Sequence, residues 1–233
     1  MRIATLNIDW GNKHSSTTHF RKIEQFINQL DFDFLILTEG IKLNLQNFDY
    51  EYFSEQIAEN IEYEELNYKD YLNGDKAFRT IIYSKIKSNR KYEVIDNKTS
   101  LAIEFETDFG RIVFYCSIIG TWYNRKPYAK MELENCLKDC KEIYKLNHNL
   151  IIVGDLNTSF LVNEKELTIN EYTTESLKSL FLELNMFNAT EKIEKNIDHI
   201  IIPKSMKDRI MKSDVFVEKG ELSDHKGIYI ELK

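Results

Sequence analysis

Short apolar segments with the character of buried β-strands recur along the whole chain and constrain its fold more than any other feature. They are rich in Ile, Val, Leu and Phe and are bounded by polar residues, as strands are. Several also carry an acid, an amide or an imidazole at one end. The clearest lie within residues 3–9, 35–39, 150–157, 197–200 and 223–232. Because polar groups at strand ends can converge on one site, this recurrence predicts a shared polar centre.

Between the strands, three stretches have the period of amphipathic helices. They cover about residues 18–30, a segment that begins near Pro127 and places Cys136 and Cys140 on its apolar face, and about residues 171–184. Strands are expected at 2–8, 32–37, 78–84, 92–95, 101–105, 112–115, 150–153, 197–202, 214–217 and 227–232. Residues 41–75 show no clear period. This order favours two packed sheets with helices outside.

The composition is that of a folded domain with few breaks. The chain has 233 residues, 42% of them hydrophobic, with 8 Gly and 2 Pro, so we predict a single domain over residues 1–233. Three cysteines give no paired disulfide set, and neither a signal peptide nor a membrane-spanning apolar run is visible. We therefore expect a cytoplasmic protein without a membrane anchor. No protein partner can be deduced. A formal net charge of −7 argues against a broad basic surface for duplex nucleic acid.

Asp155 and Asn157 directly follow a continuous apolar strand. Side chains two residues apart in an extended chain face the same way, so the carboxylate and the amide can enter one pocket. The carboxylate can accept a proton from water, and the amide can donate to a phosphoryl oxygen. A turn capped by Asp and Asn has the same composition, so this pair alone fits either a turn or a site.

Similar groups stand at the ends of other strands. Asn7 and Asp9 repeat the spacing of two after the first strand, and Glu39 leaves the second. Oxygen ligands of this kind suit Mg²⁺ or Mn²⁺. Asp198-His199 and Asp224-His225 each border an apolar strand. A buried Asp can raise the pKa of an imidazole, so that a cationic His binds a phosphoryl oxygen.

In this order the segments resemble the endonuclease/exonuclease/phosphatase superfamily, whose members have the DNase I-like fold. The segments are Leu6-Asn7-Ile8-Asp9, Thr38-Glu39, Gly154-Asp155-Leu156-Asn157, Ile197-Asp198-His199-Ile200 and Ser223-Asp224-His225. Each is weak alone, but together they span nearly the whole chain. The resemblance implies a four-layer α/β/β/α sandwich, in which two packed, mainly antiparallel sheets are flanked by helices.

The resemblance also implies a metal centre. Glu39 would be the principal ligand, with Asn7 beside it. Asp9 would be an accessory ligand, and Asp224 would lie close to the metal. The cofactor would be Mg²⁺ or Mn²⁺.

The same resemblance implies a catalytic set. Asp155 would activate or orient the attacking water, and Asn157 would hold the substrate phosphate. His225 would contact the scissile phosphate and would itself be held by Asp198. The reaction would be in-line attack of water on phosphorus.

Two positions depart from the family pattern. Many members carry a second catalytic His, or a Tyr, at the end of the strand before the long helix, and the expected equivalent is Ser117. A serine hydroxyl can donate a hydrogen bond but is not a cationic acid near neutral pH, so leaving-group protonation would fall to another group. Thr38 replaces a Gln that often precedes the glutamate.

The segment after Ser117 is a candidate for substrate binding. It contains Trp122, Tyr123, Asn124 and Arg125. Such residues can stack a base and bind a phosphate, although the aromatic rings can equally pack on the body of the protein. Arg79, on a strand that borders the substrate groove in the family, and Trp10 are weaker candidates.

The predicted activity is hydrolysis of a phosphodiester in a nucleic acid or nucleotide-like substrate by a divalent-metal-dependent phosphoesterase. One alternative is a phosphomonoesterase acting on a small phosphorylated metabolite or a phosphoinositide. Another is a catalytically impaired binding protein, an idea that Ser117 motivates. The other members of the set are retained, which argues against it.

Overall fold

The structure is a computed structural model that describes residues 1–9, 17–56, 62–63, 66–67, 77–120, 128–167 and 171–233. The helices are α1 (Thr17–Ile27), α2 (Tyr128–Leu146) and α3 (Glu171–Glu183). The strands are β1 (Arg2–Asn7), β2 (Phe34–Ile41), β3 (Tyr50–Phe53), β4 (Glu62–Tyr63), β5 (Leu66–Asn67), β6 (Ala77–Ser84), β7 (Ser88–Tyr92), β8 (Leu101–Thr107), β9 (Gly110–Ile118), β10 (Leu150–Asp155), β11 (Met186–Asn188), β12 (Asp198–Pro203), β13 (Ile210–Val217) and β14 (Gly227–Leu232).

Twelve of these strands form two six-stranded mixed sheets. The first sheet has the order β13-β14-β1-β2-β6-β3, and the second has the order β11-β12-β10-β9-β8-β7. In each sheet one central pair is parallel, β1 with β2 and β9 with β10. The other neighbouring strands are antiparallel. The sheets are therefore mainly antiparallel, as predicted.

Three apolar interfaces stack the two sheets and the helices into four layers. Side chains alternate between the faces of a strand, so each sheet buries residues on both faces. Between the sheets, the ring of Phe34 lies 5.0 Å from that of Phe105 and 4.5 Å from that of Phe114. Outside, Phe20 and Ile23 of α1 cover the first sheet, and α2 and α3 cover the second. The predicted four-layer sandwich is confirmed.

The parallel pairs define two strand–helix–strand units, β1-α1-β2 and β9-α2-β10. Within each unit both strands end at the same edge of their sheet, because they run in one direction. Asn7 pairs with Thr38 across the first unit, and Asp155 pairs with Ile118 across the second. This arrangement brings Asn7, Glu39 and Asp155 to one end of the sandwich.

Several stretches differ from the predicted elements. Strand β11, Met186–Asn188, was not predicted. The strand expected at 92–95 is β7, Ser88–Tyr92, which pairs with β8 at the edge of the second sheet. Its middle residues are exposed, so the apolar pattern that marks a buried strand is absent there. Strand β3 lies inside the stretch that showed no period. Among the described helices, none is both long enough and apolar enough to span a membrane.

Candidate active site

The predicted polar residues meet where the two sheets end. Asn7 Nδ2 donates a hydrogen bond to Asp155 Oδ2 at 3.1 Å, although the two residues are 148 positions apart in sequence. Both side chains are buried. Since Asn7 ends β1 and Asp155 ends β10, this contact joins the two sheets within one polar cluster.

An Asp–His pair lies beside this contact. Asp198 is the register partner of Asp155 on the neighbouring strand, and its Oδ2 lies 2.6 Å from Nδ1 of His225. The carboxylate is fully buried, whereas the imidazole is 12% exposed. The other ring nitrogen, Nε2, lies 3.9 Å from Oδ1 of Asp224, which is half-exposed. Asp198 therefore fixes the orientation of the imidazole through Nδ1. The second nitrogen, Nε2, lies on the side of half-exposed Asp224.

Burial and crowding set unusual pKa values in this cluster. Burial raises the pKa of Asp155 to about 7; the cation of His225 opposes the shift, while Asp198 and Glu39 reinforce it. Burial lowers the pKa of His225, but the carboxylates of Asp198, Asp155 and Asp224 outweigh it and raise the value to about 10. Near neutral pH His225 is accordingly cationic, and Asp155 is partly protonated.

Three site residues adopt the left-handed backbone conformation that non-glycine residues rarely occupy. The φ angles are 51° at Asp9, 46° at Glu39 and 50° at Asn157. At two of them an Asx turn fixes the backbone: Asp9 N donates to Oδ1 of Asn7 at 2.8 Å, and Asn157 N donates to Oδ1 of Asp155 at 2.9 Å. Such strain costs about 1–2 kcal/mol per residue and concentrates at functional sites.

The donor set fits a divalent cation. Ligand atoms of Asp155, Asp198 and His225 lie within 4.8 Å of one another. Because His225 is cationic and bonds Asp198, the carboxylates rather than the imidazole would face a metal ion. Buried Asp198 Oδ1 has no hydrogen-bond partner among the described residues. The carboxylates of Glu39 and Asp198 lie close enough to Asp155 to raise its pKa. Clustered carboxylate and amide oxygens repel one another unless a cation or protons lie among them. Carboxylate and amide oxygens are also the ligands that Mg²⁺ and Mn²⁺ prefer.

Ser117 does not occupy the position expected for it. It pairs with Gly154, one residue before Asp155, so its side chain points to the opposite face of the second sheet. There it is fully buried, and its Oγ lies 2.8 Å from Oγ of Ser100. The residue of β9 on the same face as Asp155 is Ile118, which cannot transfer a proton. The gap in the family pattern therefore falls at Ile118.

Arg79 is placed inside the protein. Its Nη1 lies 2.7 Å from Oε1 of Glu132 on α2, and both side chains are 2% exposed. The other carboxylate oxygen of Glu132 accepts a hydrogen bond from Gly120 N at 2.6 Å. This burial argues against direct substrate contact by Arg79 and gives it a structural partner. Trp10, Trp122, Tyr123, Asn124 and Arg125 lie outside the described residues.

Sequence reasoning missed two buried polar side chains outside the polar cluster, His199 and Asp139. His199 was weighed only as a neighbour of Asp198, but it lies on the other face of β12, where its Nε2 is 2.8 Å from the carbonyl oxygen of Thr158. Asp139 on α2 accepts hydrogen bonds from Ile95 N and Tyr115 Oη. A polar residue at an otherwise apolar strand or helix position was the available signal, but its partner could not be read from sequence.

Comparisons with known proteins give likeness in structure only. No family model and no curated protein matches the sequence. A structure of the 3′ phosphatase NExo from Neisseria bound to product DNA hairpin matches with a TM-score of 0.71 and 12% identity, covering 100% of this chain and 99% of that one. The 3′–5′ exonuclease NExo from Neisseria meningitidis matches with a TM-score of 0.69 and 12% identity, covering 100% of both chains.

A third structure extends the likeness to a protein with a different description. The endonuclease domain of TRAS1, a telomere-specific non-LTR retrotransposon, matches with a TM-score of 0.64 and 15% identity, covering 100% of this chain and 97% of that one.

The four layers and the position of the polar cluster place the protein in the class of α/β sandwiches that have a polar centre at one end of two facing sheets. Within that class, the chain has the DNase I-like fold, which is the fold of the superfamily that its sequence resembles.

Proposed function

We propose that this protein is a divalent-metal-dependent phosphoesterase that hydrolyses a phosphodiester in a nucleic acid or nucleotide-like substrate. The observation that carries the proposal is the hydrogen bond between Asn7 and Asp155 beside the Asp198–His225 pair. It places a carboxylate that can accept a proton within the same cluster as a cation that can bind a phosphoryl oxygen. Both groups would accelerate phosphoryl transfer to water.

His225, Asp155 and Asn157 have different roles in the proposed reaction, which follow from the protons that each side chain carries. His225 donates from Nδ1 to Asp198 and keeps Nε2 to bind the phosphate. Asp155 orients the attacking water and takes its proton, which its pKa of about 7 permits. Asn157 uses one amide hydrogen to bond to the carbonyl oxygen of Ile119 at 2.8 Å and has a second for the substrate phosphate.

The oxygens of Glu39, Asn7 and Asp9 would hold the metal ion, with Asp224 nearby. When bound, Mg²⁺ or Mn²⁺ would offset the negative charge that develops on the phosphoryl oxygens. The left-handed conformations at Glu39 and Asp9 support this assignment, because strain retained in a fold commonly serves a site.

Removal of a terminal 3′-phosphate is a second candidate. It is favoured by the likeness to NExo, which the two solved structures describe as a 3′ phosphatase and as a 3′–5′ exonuclease. Both reactions need an attacking water and a bound phosphate, so one site can serve either. The substrate then decides between them.

The experiment is a substrate panel with the purified chain and Mg²⁺, Mn²⁺ or EDTA. It covers single-stranded, duplex and abasic DNA, RNA, cyclic dinucleotides, 3′-phosphorylated oligonucleotides and small phosphomonoesters. We expect cleavage of a diester, or release of a 3′-phosphate, that stops in EDTA.

Glu39→Ala and Asp155→Ala should each lower activity by at least about 100-fold without unfolding the protein. Glu175→Ala, at an exposed acid on α3, is the matched control and should remain active. Full activity in either site variant would overturn the assignment. Absence of all hydrolysis in the parent protein, with nucleic acid still bound, would favour the impaired binding protein.

A further inference from the structure

His199 lies one residue from Asp198 but on the opposite face of β12, beneath the loop that carries Asn157. It is buried among residues of the outer core, and the ring of Phe160 packs on it edge-on at 4.7 Å. Its Nε2 lies 2.8 Å from the carbonyl oxygen of Thr158, which directly follows Asn157 in the chain. A carbonyl oxygen only accepts, so the proton of the imidazole is on Nε2.

The other ring nitrogen, Nδ1, also has a hydrogen-bond partner. Asn188 Nδ2 lies 3.2 Å from Nδ1 of His199. The orientation of that amide follows from its oxygen, which accepts from both N and Oγ1 of Thr190 at 3.0 Å. The amide nitrogen of Asn188 therefore donates to Nδ1, and the imidazole is neutral, with one tautomer.

The result is one continuous chain of donors and acceptors. It runs from the turn after β11, through Asn188 and His199, to the carbonyl that follows Asn157. It fixes a loop whose own backbone is strained, because Asn157 has a φ of 50°. Nothing in the proposed reaction uses His199 directly, since its side chain is turned away from Asp155.

We infer that His199 is a positioning residue: its Nε2–H anchor on Thr158 holds Asn157 where it can bind the substrate phosphate. This inference rests on the proposed function, because the group that it positions is assigned to phosphate binding there. A displacement of about 1 Å in such a group can lower the reaction rate about 100-fold.

Two substitutions separate the anchor from simple core packing. Gln can place an amide nitrogen near the position of Nε2 and keep the hydrogen bond to Thr158. It has no atom at the position of Nδ1 that could accept from Asn188. Asn reaches the position of Nδ1 and accepts from Asn188, but it is too short to reach Thr158. Each variant loses one hydrogen bond of the chain, so His199→Gln and His199→Asn are matched controls for each other.

The first measurement does not depend on catalysis. Amide hydrogen exchange in residues 156–161 should quicken by about tenfold or more in His199→Asn and stay close to the parent rate in His199→Gln. Equal exchange in the two variants would overturn the anchor, whether or not the protein is an enzyme.

The second measurement uses the substrate that the panel identifies. His199→Asn should lower kcat/KM by about 10- to 100-fold, with a raised KM, and His199→Gln should restore most of it. Loss of the same size in both variants, at equal thermal stability, would mean that His199 only fills the core. If the parent protein hydrolyses nothing while the exchange difference holds, the proposed function fails and the anchor alone stands.

Discussion

The pKa values of His225 and Asp155 are both raised within one buried cluster, but to different values, about 10 and about 7. The raised pKa of His225 keeps the imidazole cationic, and the raised pKa of Asp155 lets the carboxyl hold a proton close to neutral pH. In a catalytic pair, such divergence separates the group that binds negative charge from the group that accepts the proton. The same shifts also make stability depend on pH.

The pH dependence of stability tests the charge of His225. Its pKa in the folded protein is about 10, above the ordinary value of 6.5. The stabilisation is therefore complete below pH 6.5 and is lost as the pH rises through 10. Between pH 6.5 and 9.5, the free energy of unfolding of the parent should fall by about 3 kcal/mol more than that of His225→Asn. Urea denaturation in EDTA measures this difference.

His148→Asn is the control for that measurement. His148 is exposed at the end of α2, where its Nδ1 contacts the carbonyl oxygen of Tyr144. Its variant controls for the loss of an imidazole outside the buried cluster. Parallel profiles for His225→Asn and the parent would mean that the imidazole is not held as a cation.

At the scale of elements, the close approach of β10 to β9 depends on Gly154. Its φ is +138°, and a Cβ there would lie 2.0 Å from the backbone oxygen of Ser117. Gly154→Ala should therefore push the strands apart and shift Asp155, lowering stability by about 3 kcal/mol or more and activity with it. Thermal unfolding and the activity assay measure the two effects.

Gly110→Ala separates strain from collision. Gly110 has a φ of +82°, but a Cβ there would meet no atom within 4 Å. Its variant should lose only about 1 kcal/mol, the cost of a left-handed alanine, and keep its activity. Equal losses in the two variants would show that the contact with Ser117 does not matter.

The Arg79–Glu132 ion pair connects β6 to α2 at the same end of the sandwich. Removing one partner leaves a buried charge, so Arg79→Met or Glu132→Met should each lower the free energy of unfolding by about 3–5 kcal/mol. The double variant Arg79→Met/Glu132→Met should recover part of that loss, because two apolar side chains need no counter-charge while Gly120 N still loses its acceptor. Chemical denaturation of all four proteins gives the coupling energy.

A double variant no more stable than either single variant would contradict a simple ion pair. The exposed pair Arg111–Glu106, with Nε and Oε2 3.1 Å apart, is the matched control. Its coupling energy should be below about 1 kcal/mol.

The strand-end residues were predictable because the pattern that marks them lies within a few neighbouring residues. An apolar strand followed by Asp155 or Asn7 can be recognised in sequence, and parallel pairing then brings such ends together. Ser117 shows where that logic fails, since an offset of one residue moves a side chain to the other face of a sheet. The burial of Arg79 was not predictable, because its partner Glu132 is distant in sequence and only tertiary packing reveals that the pair is buried.

At the scale of the whole molecule, two strand–helix–strand units face each other across the inter-sheet core. Each carries an acid of the candidate site near the end of its second strand: Glu39 lies two residues before the end of β2, and Asp155 is the last residue of β10. The sequence predicted the layers because periodicity marks each element, but it left the pairing direction of β1 and β2 open. The single domain over residues 1–233 stays a prediction.

The net charge of −7 bears on how the whole molecule meets a nucleic acid. Because 38 Asp and Glu outnumber 31 Lys and Arg, few basic side chains should meet the phosphates without an acidic neighbour, and binding should release few counterions. The logarithm of the binding constant for a labelled duplex should fall against the logarithm of salt concentration with a slope of about −1 to −3. Fluorescence anisotropy with Asp155→Ala, which prevents turnover, measures the slope.

Arg125→Ala should flatten the slope by about 1, because Arg125 is the predicted phosphate contact. Arg111→Ala, at an exposed arginine paired with Glu106, should not. Equal slopes for both variants would remove Arg125 from the substrate-binding set.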